Sequence, residues 1–200
     1  MSEALPQIYL ARHGETAWTI TGQHTGRTDI PLTPPGESKA VLLGKRLKGL
    51  TFDAVYTSPL QRASKTCELA GFSMGAKKDA DLMEWHYGDY EGLTTAEIQK
   101  DRPGWNVFRD GCPGGETIED IAARAQRVVD RLRASTLSKV LLFSHGHFLR
   151  FIAASWLGLP MIDARFFSLR PTSLSILAYE HNLTEPIISL WNDEGLVARD

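Results

Sequence analysis

An arginine and a histidine stand side by side near the start of this 200-residue chain. Arg12 and His13 follow a short apolar run at residues 8–11, which predicts a buried strand, and Gly14 then allows the backbone to turn sharply. The carboxyl ends of strands in open α/β sheets are where ligands usually bind. A cation beside an imidazole nucleophile at such a place indicates phosphoryl chemistry. From this stretch alone, a solvated turn is the alternative.

Two further side chains at predicted element ends suit the same chemistry. Arg62 falls in the first turn of a helix predicted for residues 58–70, with Ser58 as its cap and Pro59 in its first turn. A helix N-terminus after a strand is a ready anion site, although a capped helix with a solvated arginine gives the same pattern. Glu84 lies among aromatic side chains, and burial against rings raises the pKa of a carboxyl group, as a proton donor near neutrality requires. A structural acid paired with an arginine is the alternative.

Strands and helices alternate along the chain, and this order predicts a mostly parallel sheet. Strands are expected at residues 8–11, 52–57, 77–83 and 140–143, with two late strands at 173–179 and 186–191 near an edge of the sheet. Helices are expected after Thr33, over 58–70, from Thr117 to about 134, and over 148–157, whereas 19–33 and 101–116 are predicted loops. The helix after Thr33 is expected to bury Val41, Leu42, Leu47 and Leu50. Since strand ends of a parallel sheet share one rim, His13, Arg62, Glu84 and His145 should meet there.

Together these residue types suit the hydrolysis of a phosphate monoester, which carries about −1.5 to −2 charge at pH 7. Arg12 and Arg62 can grip its oxygens bidentately, and a protonated His145 adds a third cationic donor. A neutral His13 attacks phosphorus in line and becomes phosphorylated, while its other ring nitrogen donates to a fixed acceptor such as a backbone carbonyl. Glu84 protonates the leaving alkoxide and afterwards draws a proton from the hydrolytic water.

Composition argues against several other classes of protein. The formal net charge of −2 does not suggest a nucleic-acid partner, and no stretch approaches the ~20 apolar residues of a membrane span. Cys67 and Cys112 form no disulfide framework or metal-ligand spacing, and residues 1–6 lack the basic start and apolar core of a signal peptide. We therefore expect one domain over residues 1–200 in the cytoplasm. It should act on a small phosphorylated molecule, as a monomer or homodimer, without a metal or other cofactor.

Four motifs occur in order over most of the chain: Arg-His-Gly-Glu-Thr at 12–16, Ser-Pro-Leu-x-Arg-Ala at 58–63, the stretch around Glu84, and Ser-His-Gly-His at 144–147. Together they resemble the histidine phosphatase superfamily, in its phosphoglycerate-mutase-like branch. The resemblance implies that His13 is the phosphorylated nucleophile, Glu84 the proton donor, and Arg12, Arg62 and His145 the phosphate pocket. It also implies a three-layer α/β/α sandwich on a mostly parallel central sheet.

Further stretches are similar to the sedoheptulose-1,7-bisphosphatase-like subgroup, namely Thr-Gly-x-x-Asp-x-Pro-Leu-Thr at 25–33, Glu-Trp-x-Tyr-Gly-Asp-Tyr-Glu-Gly at 84–92, Trp-Asn-x-x-Arg-Asp-Gly-Cys at 105–112 and Ala-Tyr-x-His-Asn at 178–182. This likeness implies a sugar phosphate or bisphosphate as substrate. Substrate contacts are expected from Thr19, Thr25, Gly26, Trp85, Tyr87, Arg109 and Gly146. Arg109 could reach a distal phosphate, and Thr19, which stands where much of the family has asparagine, could donate one hydroxyl bond to phosphate. Trp85 and Tyr87 could equally belong to the core.

Three other functions were weighed against this one. A metal site built from His13, His145 and His147 lacks carboxylates and thiolates at ligand spacing, and the arginines would repel a cation. A cofactor-dependent phosphoglycerate mutase typically has a longer basic insertion after its acid, where this chain has a compact Gly/Pro loop. A non-catalytic phosphate-binding module would be expected to have lost His13, Glu84 or an arginine. His147 is assigned to packing at a helix start, and His24 to the surface or rim.

Overall fold

The strand that carries Arg12 lies inside the sheet. In the computed structural model, which describes residues 5–195, β1 (Gln7–Arg12) runs between two strands from the second half of the chain, Lys139–Ser144 and Leu174–Tyr179. The register with the first of these sets Arg12 opposite Ser144. Residues 1–4 and 196–200 of the predicted domain lie outside the described residues, and so does most of the N-terminal stretch 1–6 that lacks the features of a signal peptide.

Within residues 5–195 the sheet has six strands in the order β3-β2-β4-β1-β5-β6. They are β1, β2 (Ala54–Thr57), β3 (Lys77–Lys78), β4 (Lys139–Ser144), β5 (Leu174–Tyr179) and β6 (Pro186–Asp193). The first four in that order pair in parallel, whereas β5 and β6 are antiparallel to their neighbours. The predicted mostly parallel sheet, with its late strands towards one edge, is confirmed.

Helices cover both faces of this sheet. They are α1 (Ala17–Thr21), α2 (Pro34–Arg46), α3 (Gln61–Leu69), α4 (Thr95–Asp101), α5 (Val107–Asp110), α6 (Ile118–Arg133) and α7 (Gly146–Leu157). Alternate strand residues point to opposite faces, so Ile8 and Leu10 of β1 share a core with α6 and α7. Tyr9 and Ala11 share a second core with α2 and α3. The expected three-layer α/β/α sandwich is therefore confirmed. No helix within residues 5–195 is long and apolar enough to cross a bilayer.

The helix caps follow the sequence at two of the predicted starts. Thr33 caps α2 by accepting a hydrogen bond from the Gly36 N–H, and Thr117 caps α6 in the same way through Asp120. At α3 the prediction is wrong, because the helix begins at Gln61 with Leu60 rather than Ser58 in the cap position. Residues 17–21, which overlap a predicted loop, form the short helix α1.

Two elements differ from prediction in ways that affect the site or its supporting core. The strand expected over residues 77–83 stops at Lys78, and a 3₁₀ helix, Ala80–Leu82, follows with Asp79 as its cap. Glu84 therefore follows a helical turn rather than a strand. In α2, Val41 and Leu42 are 41% and 53% exposed, because the buried stripe instead runs through Ala40, Leu43 and Leu47.

Candidate active site

The nucleophile candidate His13 follows β1 and is buried. Its backbone N–H donates to Ser144 O at 2.9 Å, which fixes the residue against the end of β4. Its ring Nδ1–H donates to the carbonyl of Gly14 at 2.7 Å, as predicted, so the lone pair stands on Nε2. Burial, followed by the charges of Arg62 and Arg12, holds the pKa of His13 well below its usual range. The imidazole is therefore neutral and able to act as a nucleophile.

The turn after His13 is held by the two helices on one face of the sheet. The Gly14 N–H donates to Thr66 Oγ1 of α3 at 3.0 Å, and the Thr66 hydroxyl donates to Arg62 O at 2.7 Å. A side chain at position 14 would lie 2.8 Å from Gly36 O of α2, so only glycine fits there. Because Gly14 O accepts the His13 ring proton, this packing also sets the orientation of the imidazole.

Arg12 lies beside the start of α7. Its Nη1 donates to Leu169 O, whereas its buried Nε has no hydrogen-bond partner among the residues that the structure describes. A Cβ at Gly146 would lie 3.1 Å from the Arg12 Cζ, so the glycine leaves room for the guanidinium. Gly146, predicted to bind substrate, is thus placed next to the Arg12 head group. The Arg12 Nη2 group makes no hydrogen bond within residues 5–195 and is not among the buried unpaired atoms, so it is the part of the guanidinium that is free to bind an anion.

Arg62 is fully buried and already extensively bonded. Its Nε donates to His145 Nδ1 at 3.2 Å, and its terminal nitrogens donate to the carbonyls of Thr28 (3.0 Å), Thr25 (3.1 Å) and Gly26 (2.8 Å). A guanidinium has five N–H donors, and these contacts use four of them. One donor of Arg62 therefore remains for phosphate in this geometry, whereas the predicted bidentate grip needs two. Arg62 instead ties residues 25–28 to the site.

His145 is neutral in this arrangement, which contradicts the predicted cation. Its Nδ1 accepts from Arg62, so the ring proton is on Nε2, which donates to Ser58 Oγ at 2.8 Å. Burial, and next the charge of Arg62, holds the pKa of His145 well below its usual range. Its ring centroid lies 5.1 Å from that of His13, so the predicted pair is brought together.

The carboxylate of Glu84 is buried at the N-terminus of α7. Oε1 accepts from the backbone N–H of Trp85 at 3.0 Å and of Phe148 at 2.8 Å, and Oε2 accepts from the N–H of His147 at 3.0 Å. The sequence indicated aromatic neighbours for this group but not these donors. Three fixed N–H groups hold the carboxyl in one orientation, as a positioned acid or base requires.

Arg12, His13 and Glu84 line one cavity of about 180 Å³. The other lining residues come from α1, the loop after it and the start of α7, namely Trp18, Thr19, Gly22, Gln23, His24, Thr25 and His147. Arg62 and His145 are bonded to each other beside this cavity. A larger cavity of about 370 Å³ lies between α2 and residues 171–172 and contains none of the predicted catalytic residues, so volume alone would mislocate the site.

Two of the predicted substrate residues in this loop are engaged with the protein itself. The Thr19 hydroxyl donates to Thr16 O at 2.9 Å and completes the capping box of α1, so its predicted bond to phosphate is contradicted. Thr25 lines the cavity as expected. Gly26 does not, because its N–H donates to Glu91 Oε2 at 3.1 Å and its carbonyl accepts from Arg62.

Three other residues predicted to contact substrate do not line this cavity. Trp85 and Tyr87 are buried in the core and do not line the cavity, which settles the alternative left open for them. The Arg109 side chain is 61% exposed, pairs with Asp110 and faces a separate surface cavity, so it is not placed to hold a distal phosphate. A basic residue in a loop signals a binding role only when the loop folds over the site, and this loop folds elsewhere.

Sequence reasoning missed two histidines that line the cavity. The His24 and His147 rings lie 6.1 Å apart and nearly parallel, at 27°. Burial lowers the pKa of His24 to about 4 and that of His147 well below its usual range. Together with His13 and His145 they are the four site imidazoles, all neutral at pH 7. The Ser-His-Gly-His motif pointed to position 147, but which side of α7 its ring takes depends on packing.

Among residues 5–195, no group of three or more His, Cys, Asp or Glu side chains is arranged to hold a metal ion. Cys67 and Cys112 are free thiols. The chemistry of the cavity is therefore described by one guanidinium, a neutral imidazole with a free Nε2, and a carboxyl group fixed by backbone N–H bonds.

Comparison with known proteins finds a family model, sequence relatives and solved structures that match most of this chain. A family model for the histidine phosphatase superfamily (branch 1) matches residues 8–194. An acid phosphatase of Mycobacterium tuberculosis is 38% identical over 182 residues, which cover 90% of this chain and 89% of the relative. A sedoheptulose 1,7-bisphosphatase of Saccharomyces cerevisiae is 36% identical over 193 residues, which cover 80% of this chain and 70% of the relative. The solved structure of an open reading frame from M. tuberculosis superposes with a TM-score of 0.88 at 37% identity, covering 94% of this chain and 97% of that one.

Proposed function

Because the chain belongs to branch 1 of the histidine phosphatase superfamily, and is thereby a phosphoric monoester hydrolase, we propose that it hydrolyses sugar phosphates or bisphosphates through a phosphohistidine on His13. The observation that carries this proposal is the hydrogen bond from His13 Nδ1 to Gly14 O. It leaves Nε2 of a buried, neutral imidazole in the same cavity as Arg12 and Glu84.

In the first step, His13 Nε2 attacks phosphorus while the bond from phosphorus to the sugar oxygen breaks. Glu84 gives its proton to that leaving oxygen, and the guanidinium of Arg12, which lines the same cavity, binds the phosphoryl oxygens. In the second step, water attacks phosphorus, its proton passes to Glu84, and the bond to His13 breaks. Positioning and charge supply most of the catalysis of such transfers, and the backbone bonds of His13 and Glu84 supply the positioning.

The substrate class rests on the polar wall of the cavity and on the relatives. Gln23, His24, Thr25 and His147 offer uncharged hydrogen-bonding groups, which suit a hydroxylated carbon chain. One of the relatives is named for a sugar bisphosphate. Arg109 gives no reason to expect a preference for bisphosphates over monophosphates, since its side chain pairs with Asp110 outside the cavity.

The test is to trap the intermediate. Brief exposure to labelled sugar phosphate, followed by a quench in base, should leave protein-bound label that survives alkali and is lost in acid. His13→Ala should bind none, whereas His181→Ala, a matched change at a 76% exposed side chain, should be labelled normally. Label that persists on His13→Ala would refute the assignment.

The substrate class is tested by phosphate release from a panel of sugar phosphates and bisphosphates, with the phosphoglycerates included. Release of phosphate from sugar phosphates is the expected result. Efficient interconversion of 2- and 3-phosphoglycerate, with little phosphate released, would instead support the mutase alternative.

A further inference from the structure

His147 is hydrogen-bonded through its backbone to Glu84, the candidate acid, and it also lines the cavity. It is the second residue of α7, and its N–H donates to Glu84 Oε2 at 3.0 Å. Its ring lines the cavity next to Glu84. Whatever its side chain binds must therefore lie close to the group that handles the leaving oxygen. The two chemical steps above use the backbone of this residue, and neither uses its ring.

The ring of His147 is held in one orientation. Phe108 and Tyr87 pack edge-on against it at centroid distances of 5.0 and 5.8 Å, and Trp85 does so at 6.3 Å. His24 stacks alongside at 6.1 Å. With rings on several sides, the imidazole has little freedom to turn, so the direction of its nitrogens is set before a ligand arrives.

Tyr87 determines which ring nitrogen of His147 carries the proton. The Tyr87 hydroxyl forms a hydrogen bond with His147 Nδ1, and Tyr87 is 2% exposed. Burial raises the pKa of Tyr87 well above its usual range, so the hydroxyl keeps its proton. Since Nδ1 is the only partner of this hydroxyl within residues 5–195, the buried proton is paired only if the hydroxyl donates it to Nδ1. Nδ1 is then the acceptor, and a neutral ring has its one N–H at Nε2. That Nε2 has no hydrogen-bond partner in the described part of the chain, and it is not among the solvent-inaccessible unpaired atoms.

We propose that His147 is a specificity-determining residue, whose Nε2–H donates to a hydroxyl oxygen of the sugar near the scissile bond, and that Tyr87 is the positioning residue that sets this tautomer. The inference rests on the proposed function and deepens it. A neutral donor is sufficient for a hydroxyl oxygen, whereas a second anionic group is better matched by a charged donor such as arginine or lysine. The selection therefore acts on the alcohol part of the ester rather than on its phosphoryl group.

Two esters that differ only in hydroxyl groups test the proposal: glycerol 1-phosphate and propyl phosphate. Both leave as alkoxides, so both need the proton from Glu84. The wild-type protein should prefer glycerol phosphate in kcat/KM, and His147→Ala should reduce that preference about 3- to 10-fold, the value of one neutral hydrogen bond. His147→Gln keeps a side-chain N–H donor and should restore part of the preference.

Tyr87→Phe should reduce the same preference by a smaller factor, because Nδ1 can then hold the proton. The ¹⁵N shifts of the His147 ring give an independent readout, with Nδ1 unprotonated in the wild type and partly protonated in Tyr87→Phe. An equal fall on both esters in His147→Ala, or a protonated Nδ1 in the wild type, would overturn the proposal. A wild-type protein without a preference between the two esters would overturn it as well, whereas a protein that releases no phosphate from the panel of sugar phosphates refutes the proposed function instead.

Discussion

Glu84→Gln separates the structural and chemical roles of the buried carboxyl group. In the wild type, Oε1 accepts two backbone N–H bonds and Oε2 accepts one from His147. A glutamine oxygen can take the place of Oε1, but its NH₂ then faces the His147 N–H, donor against donor. One buried N–H left unpaired costs about 1–3 kcal/mol of the free energy of unfolding.

The chemical loss is larger and depends on the substrate. Glutamine cannot protonate the leaving oxygen, and general acid–base catalysis contributes about 10²–10⁴-fold, or about 2.7–5.5 kcal/mol of activation free energy. An alkoxide needs this proton, whereas nitrophenolate is a stable anion that leaves without it. Glu84→Gln should therefore lose this factor in kcat/KM on glycerol 1-phosphate and much less on p-nitrophenyl phosphate.

A neighbouring carboxylate provides the matched control. Glu91 also accepts backbone N–H bonds, from Gly26 at 3.1 Å and Arg27 at 2.8 Å, but it does not line the cavity. Glu91→Gln should lower stability by a similar amount in urea denaturation and affect both substrates alike. Equal losses of Glu84→Gln on the two substrates, in the pattern of Glu91→Gln, would mean that Glu84 is structural and that the reasoning is wrong.

Four further outcomes are expected. Thr66→Val leaves the Gly14 N–H without its acceptor, so it should lower the free energy of unfolding by about 1–3 kcal/mol and also lower kcat. Thr66→Ser keeps the hydroxyl and should retain both. A Thr66→Val protein with full activity and stability would contradict the role of Thr66 in holding the turn after His13. Arg109→Ala should leave the ratio of bisphosphate to monophosphate hydrolysis unchanged, because the side chain pairs with Asp110 outside the cavity, and a selective loss on bisphosphates would restore its predicted role. The free energy of unfolding should fall as the pH drops below about 6.5, because the four site imidazoles have lowered pKa values in the folded protein and bind protons only in the unfolded chain. Urea denaturation at pH 7.5 and 5 measures this difference, and equal free energies of unfolding at the two pH values would count against it. Phosphatase activity should persist in EDTA, and a loss restored by zinc would support the metal alternative.

The elements that sequence predicts best are those with strong periodicity. β1, β4 and the helix after Thr117 combine uninterrupted apolar runs or stripes with clear caps, and each lies where expected. Residues 41–43 show where this reasoning stops. Three consecutive apolar residues on α2 do not reveal its rotation about its axis, and packing against α3 selects Leu43 while Val41 and Leu42 stay exposed.

In the candidate site, too, some features follow from local sequence and others depend on long-range contacts. His13 and its backbone acceptor follow from local geometry, because Gly14 O is the adjacent carbonyl. The partners of Arg62 do not, since they are carbonyls of a loop more than thirty positions away, and every residue carries a carbonyl. The protonation state of His145 depends on that same arginine. Residue identity therefore indicates the reaction, whereas charge and bonding in the pocket depend on long-range contacts.

The central place of β1 links hydrolysis to the completion of folding. His13 lies far ahead of both of its backbone partners in the chain, yet its N–H donates to Ser144 O and its carbonyl accepts from the Thr172 N–H. Closing such long loops is slow, and the chain entropy that is lost has to be compensated by the contacts that form afterwards. A growing or truncated chain that lacks β4 and β5 would hold the nucleophile without its backbone bonds to Ser144 and Thr172. Recovery of activity during refolding would then report assembly of the whole sheet, and no N-terminal fragment should hydrolyse phosphate esters prematurely.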